Sequence, residues 1–179
     1  MEQILLYDKE TIQNRICDLS ADICKAYYKD NKPLLVVGIL NGAFLFLSDL
    51  IRQLDYLDIE VDFIKISSYS NNRQTSNLVF DYDGLQKYNL KNYNILIVED
   101  IIDTGNSMKR LKEYLLQTHD LQENQLAFCT LLYKKFKNKT DFVPDYVGFE
   151  LDSDYYVVGY GLDDNNKYRE LDYIYYNKD

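Results

Sequence analysis

Asn94-Ile95-Leu96-Ile97-Val98-Glu99-Asp100-Ile101-Ile102-Asp103-Thr104-Gly105-Asn106-Ser107 is the stretch that decides how this chain folds. Residues 95–98 are apolar without a break, and continuous rather than alternating apolarity suits a parallel strand covered on both faces. Glu99 and Asp100 come where that strand should leave the sheet. Asp103 then opens a short polar loop, 103–107, and Met108, Leu111 and Leu115 carry the stripe of a following helix. Free backbone N–H groups in such a loop, running into a helix N-terminus, suit a bound phosphate. The acids beside it can accept hydrogen bonds from sugar hydroxyls or hold water on a divalent metal. Phosphate, ribose and metal chemistry in one segment point to a sugar phosphate.

Working outward, strands alternate with helices. Residues 9–29 place Ile12, Ile16, Leu19, Ile23 and Tyr27 on one helical face, ended by Asp30-Asn31-Lys32-Pro33. Residues 34–39 form a second buried strand, followed by Leu40-Asn41-Gly42-Ala43 and a helix to about residue 54. A strand is expected over 59–66. Residues 67–77 are polar, and a flexible loop is expected near 67–80, with 78–80 starting a return strand. Asp83-Gly84 signals a turn. Further strands are expected near 125–132, 146–151 and 156–160. The pattern predicts an α/β fold with a mostly parallel central sheet flanked by helices, residues 1–179 forming one domain. Ligands should collect at the carboxyl ends of its strands, near a switch in strand order.

A chain of 179 residues is long enough for one real core. Its net charge of −9 argues against broad binding to nucleic acid or anionic membrane. No apolar run approaches the roughly 20 residues that span a bilayer. Met1 to Tyr7 is short and soon followed by charge, unlike a secretory leader. The three cysteines have no metal-like spacing. On one helix, Cys17 and Cys24 would stand about 10 Å apart along the axis, beyond the roughly 7 Å that a disulfide spans between Cα atoms. A reducing, cytoplasmic setting follows. His119, the single histidine, lies between helix and strand with no obvious partner, so a histidine-based triad is not expected. Neither a Gly-x-x-x-x-Gly-Lys-Ser/Thr loop nor a Gly-x-Gly-x-x-Gly turn occurs.

The central stretch resembles the phosphoribosyl pyrophosphate signature of the type I purine phosphoribosyltransferases, and Val98 to Gly105 looks most like their hypoxanthine-guanine branch. The resemblance runs from about residue 34 to residue 169. It implies that family's fold, with a small hood over the sheet, and Mg²⁺-dependent transfer of 5-phosphoribosyl from phosphoribosyl pyrophosphate to N9 of hypoxanthine or guanine. The products would be IMP or GMP and pyrophosphate. By resemblance, Glu99, Asp100, Asp103, Thr104, Gly105, Asn106 and Ser107 hold ribose and phosphate, and Asp103 is the candidate general base at purine N7. Glu99, Asp100 and Asp163 would serve Mg²⁺.

Leu40-Asn41-Gly42 is open to two readings, a plain strand-to-helix connection or a pyrophosphate loop whose glycine lets the backbone approach the ligand. In the family it is the latter, usually with a non-proline cis peptide. Asn41 departs from the pattern, standing where many relatives have Lys or Arg, which leaves more of the pyrophosphate to backbone groups. Arg169 would add a pyrophosphate contact. Lys134 would read the oxygen at purine position 6, since an ammonium donates and cannot accept; Lys135, Lys137 and Lys139 read instead as solvated surface charge. Tyr156 would lie against the purine ring and Val157 would offer backbone groups to its edge. Ser68 and Tyr69 would belong to a loop that closes over the site and excludes water, or else to an ordinary surface loop. A homodimer or homotetramer is implied. The rival readings are a nucleotide-sensing regulator, an enzyme for xanthine or adenine, and an inactive homologue.

Overall fold

Three runs of buried aliphatic residues become adjacent parallel strands, and the rest of the architecture is arranged around them. The computed structural model describes residues 2–55, 57–70, 76–81 and 83–178. In chain order its elements are β1 (Glu2–Tyr7), α1 (Lys9–Tyr27), β2 (Leu34–Leu40), α2 (Phe44–Ile51), β3 (Ile59–Ser70), β4 (Ser76–Asp81), β5 (Asn94–Ile102), α3 (Asn106–His119), β6 (Leu126–Tyr133), β7 (Tyr146–Glu150), β8 (Val157–Val158) and β9 (Ile174–Lys178). One sheet has the order β4-β3-β2-β5-β6-β7. All its pairings are parallel except β3 with β4.

The two-residue side-chain period of a strand explains why the central runs are apolar throughout. Leu34, Val36, Leu96 and Val98 point to one face, where Ile12, Ile16 and Leu19 of α1 and Phe46, Leu47 and Leu50 of α2 cover them. Leu35, Val37, Ile95 and Ile97 point to the other, against Met108, Leu111 and Leu115 of α3. Truncating any of these fully buried Leu or Ile side chains to Ala would cost about 2–5 kcal/mol.

After β2 the chain passes to β3 on one side, while β5 lies on the other side of β2. The order therefore reverses between β2 and β5, which opens a crevice beyond their carboxyl ends. The turn after β2 and the loop after β5 both fall there.

A second sheet, β1-β9-β8, is antiparallel and forms the hood. Tyr7 stacks on Phe149 of β7 with ring centroids 3.9 Å apart, which ties the hood to the edge of the main sheet. Residues 156–160 do not all join a strand, because Gly159 (φ 104°), Tyr160 (φ 49°) and Gly161 (φ 98°) turn the chain after Val158.

β3 runs on to Ser70 and pairs with β4 as far as Ser70↔Ser76, into the segment whose polarity suggested a loop. A hairpin at a sheet edge is held by backbone hydrogen bonds and needs no apolar residues on both faces. Residues 71–75, the tip of that segment, lie outside the described residues, as do the side chains of Ser68 and Tyr69. His119 is the last residue of α3 rather than a connector, and its ring meets Tyr114 edge-on at 6.1 Å. Among the described residues no helix is long and apolar enough to cross a membrane.

Candidate active site

A cavity of about 350 Å³ opens at the strand-order reversal, lined by Leu40, Asn41 and Gly42 after β2 and by Glu99, Asp100, Asp103, Thr104, Gly105 and Ser107 from β5 and its loop. Asp163 and Arg169 close it from the hood side. The sequence-predicted ribose, phosphate and pyrophosphate residues thus meet in one place, with Asn106 beginning α3 beside them.

Backbone conformation sets this half of the site. Gly105 caps α3 at φ 78°, ψ −12°, and no side chain caps the first turn. Thr104, Gly105 and Ser107 line the cavity, the uncapped amides of a helix start suit an anion, and the left-handed cap is one that glycine adopts without cost. The Leu40–Asn41 peptide is cis. A Cβ on Gly42 would stand 1.6 Å from Asp100 Oδ2, so the carboxylate packs directly on the glycine. A Cβ on Gly161 would stand 2.0 Å from the Gly42 carbonyl oxygen. The turn after β2 therefore packs against the Asp100 carboxylate at the end of β5 and against the backbone of the hood turn, and two glycines permit it.

The hood turn is fixed from behind. Tyr160 donates its hydroxyl proton to Asp49 on α2, which also accepts from Gln13 at 3.2 Å and pairs with Arg52. Burial, with the Asp49 carboxylate added, pushes the Tyr160 phenol well up. Arg169 donates to the Gly161 carbonyl at 2.6 Å and pairs with Asp163 at 2.6 Å, which sets both side chains at the cavity mouth. Asn41 brings no positive charge to the loop, and Arg169 supplies a cation to the same cavity.

Glu99 and Asp100 suit a cation in a particular way. Burial, then the hydrogen bond and charge of Asp100, push the Glu99 carboxyl well above the usual carboxylate range. Two acids this close need a proton or a cation between them to share the site. Asp100 Oδ1 accepts from the Ile101 amide at 2.8 Å, and Asp163 Oδ2 accepts from the Asn166 amide at 2.7 Å. Among the described residues no three His, Cys, Asp or Glu groups converge as a metal cage. The donor set fits Mg²⁺, which is held by one or two carboxylates, water and substrate phosphates rather than by an all-protein shell.

A second cavity, of about 310 Å³, adjoins the first and shares Asp100, Ile101, Asp103 and Asp163 with it. Lys134, Tyr155, Tyr156, Val157 and Leu162 complete its wall. Lys134 is buried, and its ammonium donates to Asp154 Oδ1 at 2.7 Å and to the Tyr155 carbonyl at 2.9 Å. Tyr156 is 62% exposed and donates its hydroxyl to the Asp163 carbonyl at 3.1 Å, leaving its ring face open. Val157 is buried and paired with Tyr176 through β8 and β9. Asp103 stands between the two cavities, its Oδ1 closed off from solvent with no hydrogen-bond donor aligned to it.

Lys137 departs from the surface role expected of it. Its ammonium lies 3.2 Å from the Asp103 carboxylate and donates to both oxygens of Asp154 at 2.8 and 2.9 Å. The two lysines hold the Asp154 carboxyl down to about 2, through hydrogen bonds first and charge second. The turn at Lys135–Lys137 folds Lys137 back toward the cleft, whereas Lys135 reaches outward to Glu150 at 3.4 Å.

The phosphoribosyl transferase domain family model matches residues 6–165. The chain belongs to the phosphoribosyltransferase family. Within that family it resembles the hypoxanthine-guanine branch over nearly its whole length. It is 37% identical over 171 residues to a hypoxanthine-guanine phosphoribosyltransferase of Aquifex aeolicus, with 96% of this chain and 92% of that protein covered. It is 39% identical over 171 residues to a hypoxanthine-guanine-xanthine phosphoribosyltransferase of Tritrichomonas foetus, covering 95% and 88%. A crystal structure of a hypoxanthine phosphoribosyltransferase from Staphylococcus aureus superposes with a TM-score of 0.85 at 38% identity, covering 98% of this chain and 91% of that one.

Sequence reasoning did not single out Asp154, Lys137, Asp49 or Gly161 as parts of a phosphoribosyltransferase site. Nothing near them in sequence distinguishes these charges from the rest of a charged surface. Gly161 alone carried a local signal, lying two residues after Gly159 and just past the stretch 156–160 read as strand.

Proposed function

We propose that this chain is a purine-salvage enzyme that transfers 5-phosphoribosyl from phosphoribosyl pyrophosphate to N9 of hypoxanthine or guanine, giving IMP or GMP and pyrophosphate. The observation that carries this reading is the pair of adjoining cavities that share Asp100, Ile101, Asp103 and Asp163. One is walled by anion-binding backbone and acids, the other by a buried lysine and an open aromatic ring. A sugar phosphate in the first and a purine in the second would meet across Asp103.

Each group then has a physical task. The amides of 104–107 hold the 5-phosphate at the start of α3. The Leu40-Asn41-Gly42 backbone and Arg169 hold pyrophosphate, while Glu99 and Asp100 fix the ribose hydroxyls. Lys134 donates to the 6-oxygen, Tyr156 lies on the ring and the Val157 backbone meets its edge. Asp103 takes or shares the proton at N7 as N9 bonds to the ribose. Glu99, Asp100 and Asp163 would hold Mg²⁺, which when bound would supply positive charge against the departing pyrophosphate. The β3–β4 hairpin with Ser68 and Tyr69 would cover the cleft during reaction, shielding a cationic sugar from water. A cytoplasmic homodimer or homotetramer accords with the reading.

The test is purified protein with phosphoribosyl pyrophosphate and Mg²⁺, given hypoxanthine, guanine, xanthine or adenine separately, with nucleotide followed by chromatography. IMP and GMP should form, chelator should stop them, and adenine should give none. Xanthine earns its arm because the Tritrichomonas relative is named for it. Tight binding of phosphoribosyl pyrophosphate without nucleotide from any base would favour a nucleotide-sensing regulator instead.

A further inference from the structure

A buried ammonium needs a counter-charge and acceptors for its three protons. The hydrogen bonds described for Lys134 account for two, to Asp154 and to the Tyr155 carbonyl. The third is available to a ligand in the cavity that Lys134 lines together with Asp103 and Tyr156. Asp154 also accepts both hydrogen bonds from Lys137, which in turn reaches Asp103. Four side chains therefore form one line of alternating charge, Asp103–Lys137–Asp154–Lys134.

The ends of that line match one edge of a purine. The 6-substituent and N7 lie side by side on the same edge of the ring system. A donor for the first and an acceptor for the second must therefore be held at a fixed spacing, and a chain of short ionic contacts does this. We propose that Asp154 is a positioning residue that sets the preference for 6-oxopurines, aiming Lys134 at the 6-oxygen while holding Lys137 against Asp103. The inference rests on the purine-salvage reading. Asp154 touches no substrate in this account; it acts through the two lysines. Without its carboxylate, Lys134 keeps only the Tyr155 carbonyl, and Lys137 is held by Asp103 alone.

The Asp154 side chain is 59% exposed, so its replacement leaves the core untouched. Steady-state kinetics of Asp154→Ala, Asp154→Asn and Asp154→Glu would be compared with wild type, alongside thermal melts. Asp154→Ala should raise KM for hypoxanthine about tenfold or more, the loss expected of one hydrogen bond between charged groups. KM for phosphoribosyl pyrophosphate should stay within about twofold. Adenine, tested as a competitive inhibitor, should lose less affinity than hypoxanthine does, Asp154→Asn should lie near Asp154→Ala, and Asp154→Glu should recover part of the loss. An unchanged hypoxanthine KM in a folded Asp154→Ala protein would overturn the proposal. So would equal rises in both KM values, or a Glu variant no better than Ala. If wild type makes no nucleotide from any purine, the salvage reading itself fails and takes the proposal with it. If wild type is active and the variants match it, only the proposal fails.

Discussion

Around the cavity at the strand-order reversal the working groups are placed by backbone, whereas around the adjoining cavity they are placed by charged side chains. In the first, Gly42 packs on Asp100, Gly161 packs on Gly42, and Gly105 turns the chain into α3. In the second, Lys134, Lys137, Asp154 and Asp103 hold one another, and Asp154 is more than half exposed. A backbone cradle tolerates no added atoms, but it recognises a phosphate without needing a positive side chain. A side-chain clamp can be altered residue by residue without refolding, which would suit the half proposed to tell one base from another.

Asp103 belongs to both halves, so its loss should have the largest effect. Asp103→Asn should lower kcat about 10²–10⁴-fold, the range for a positioned general base, with both KM values little changed in initial-rate assays. Near-normal turnover would remove the base role. Next comes the cradle. Gly42→Ala puts a Cβ where Asp100 Oδ2 now lies, 1.6 Å away. A displacement of that size should cost about 10²-fold in kcat/KM for phosphoribosyl pyrophosphate. Isothermal titration should show the sugar phosphate binding weakly while the fold, followed by circular dichroism, persists.

A smaller effect is expected behind the hood turn. Tyr160→Phe removes the proton donated to Asp49, which keeps Gln13 and Arg52 as partners. Stability should fall by about 1 kcal/mol, read from urea unfolding, and KM for phosphoribosyl pyrophosphate should rise modestly as Arg169 and Asp163 loosen. The smallest effect concerns pH. Lys134 and Lys137 lower the Asp154 carboxyl from 3.8 to about 2, so its contribution is fully present above the unfolded value and lost as pH falls through the folded one. The gap in melting temperature between wild type and Asp154→Asn should therefore stay constant above about pH 4 and narrow as pH falls toward 2. A gap that widened on acidification would contradict the ionic clamp.

The same contrast governs what could be read in advance. The parallel sheet and the cradle were legible because their signals are local: unbroken apolar runs at 34–39 and 95–98, then acids and glycine within a few residues. The hood was not. β1 and β9 pair the two ends of the chain, Glu2 with Lys178, and neither carries a pattern that names its partner. Lys134 was singled out only through resemblance, because its ionic partner Asp154 stands twenty residues on in the chain. Lys137 read as surface for the same reason: a charge that turns back into a cleft looks, in sequence, like one that faces water.

The division of labour is tested most directly by crossing the two halves. KM for phosphoribosyl pyrophosphate and for hypoxanthine would be measured side by side in Gly42→Ala and Lys134→Met. The account predicts opposite splits, the glycine variant losing the sugar phosphate and the lysine variant losing the purine. Both variants raising both constants alike would contradict it.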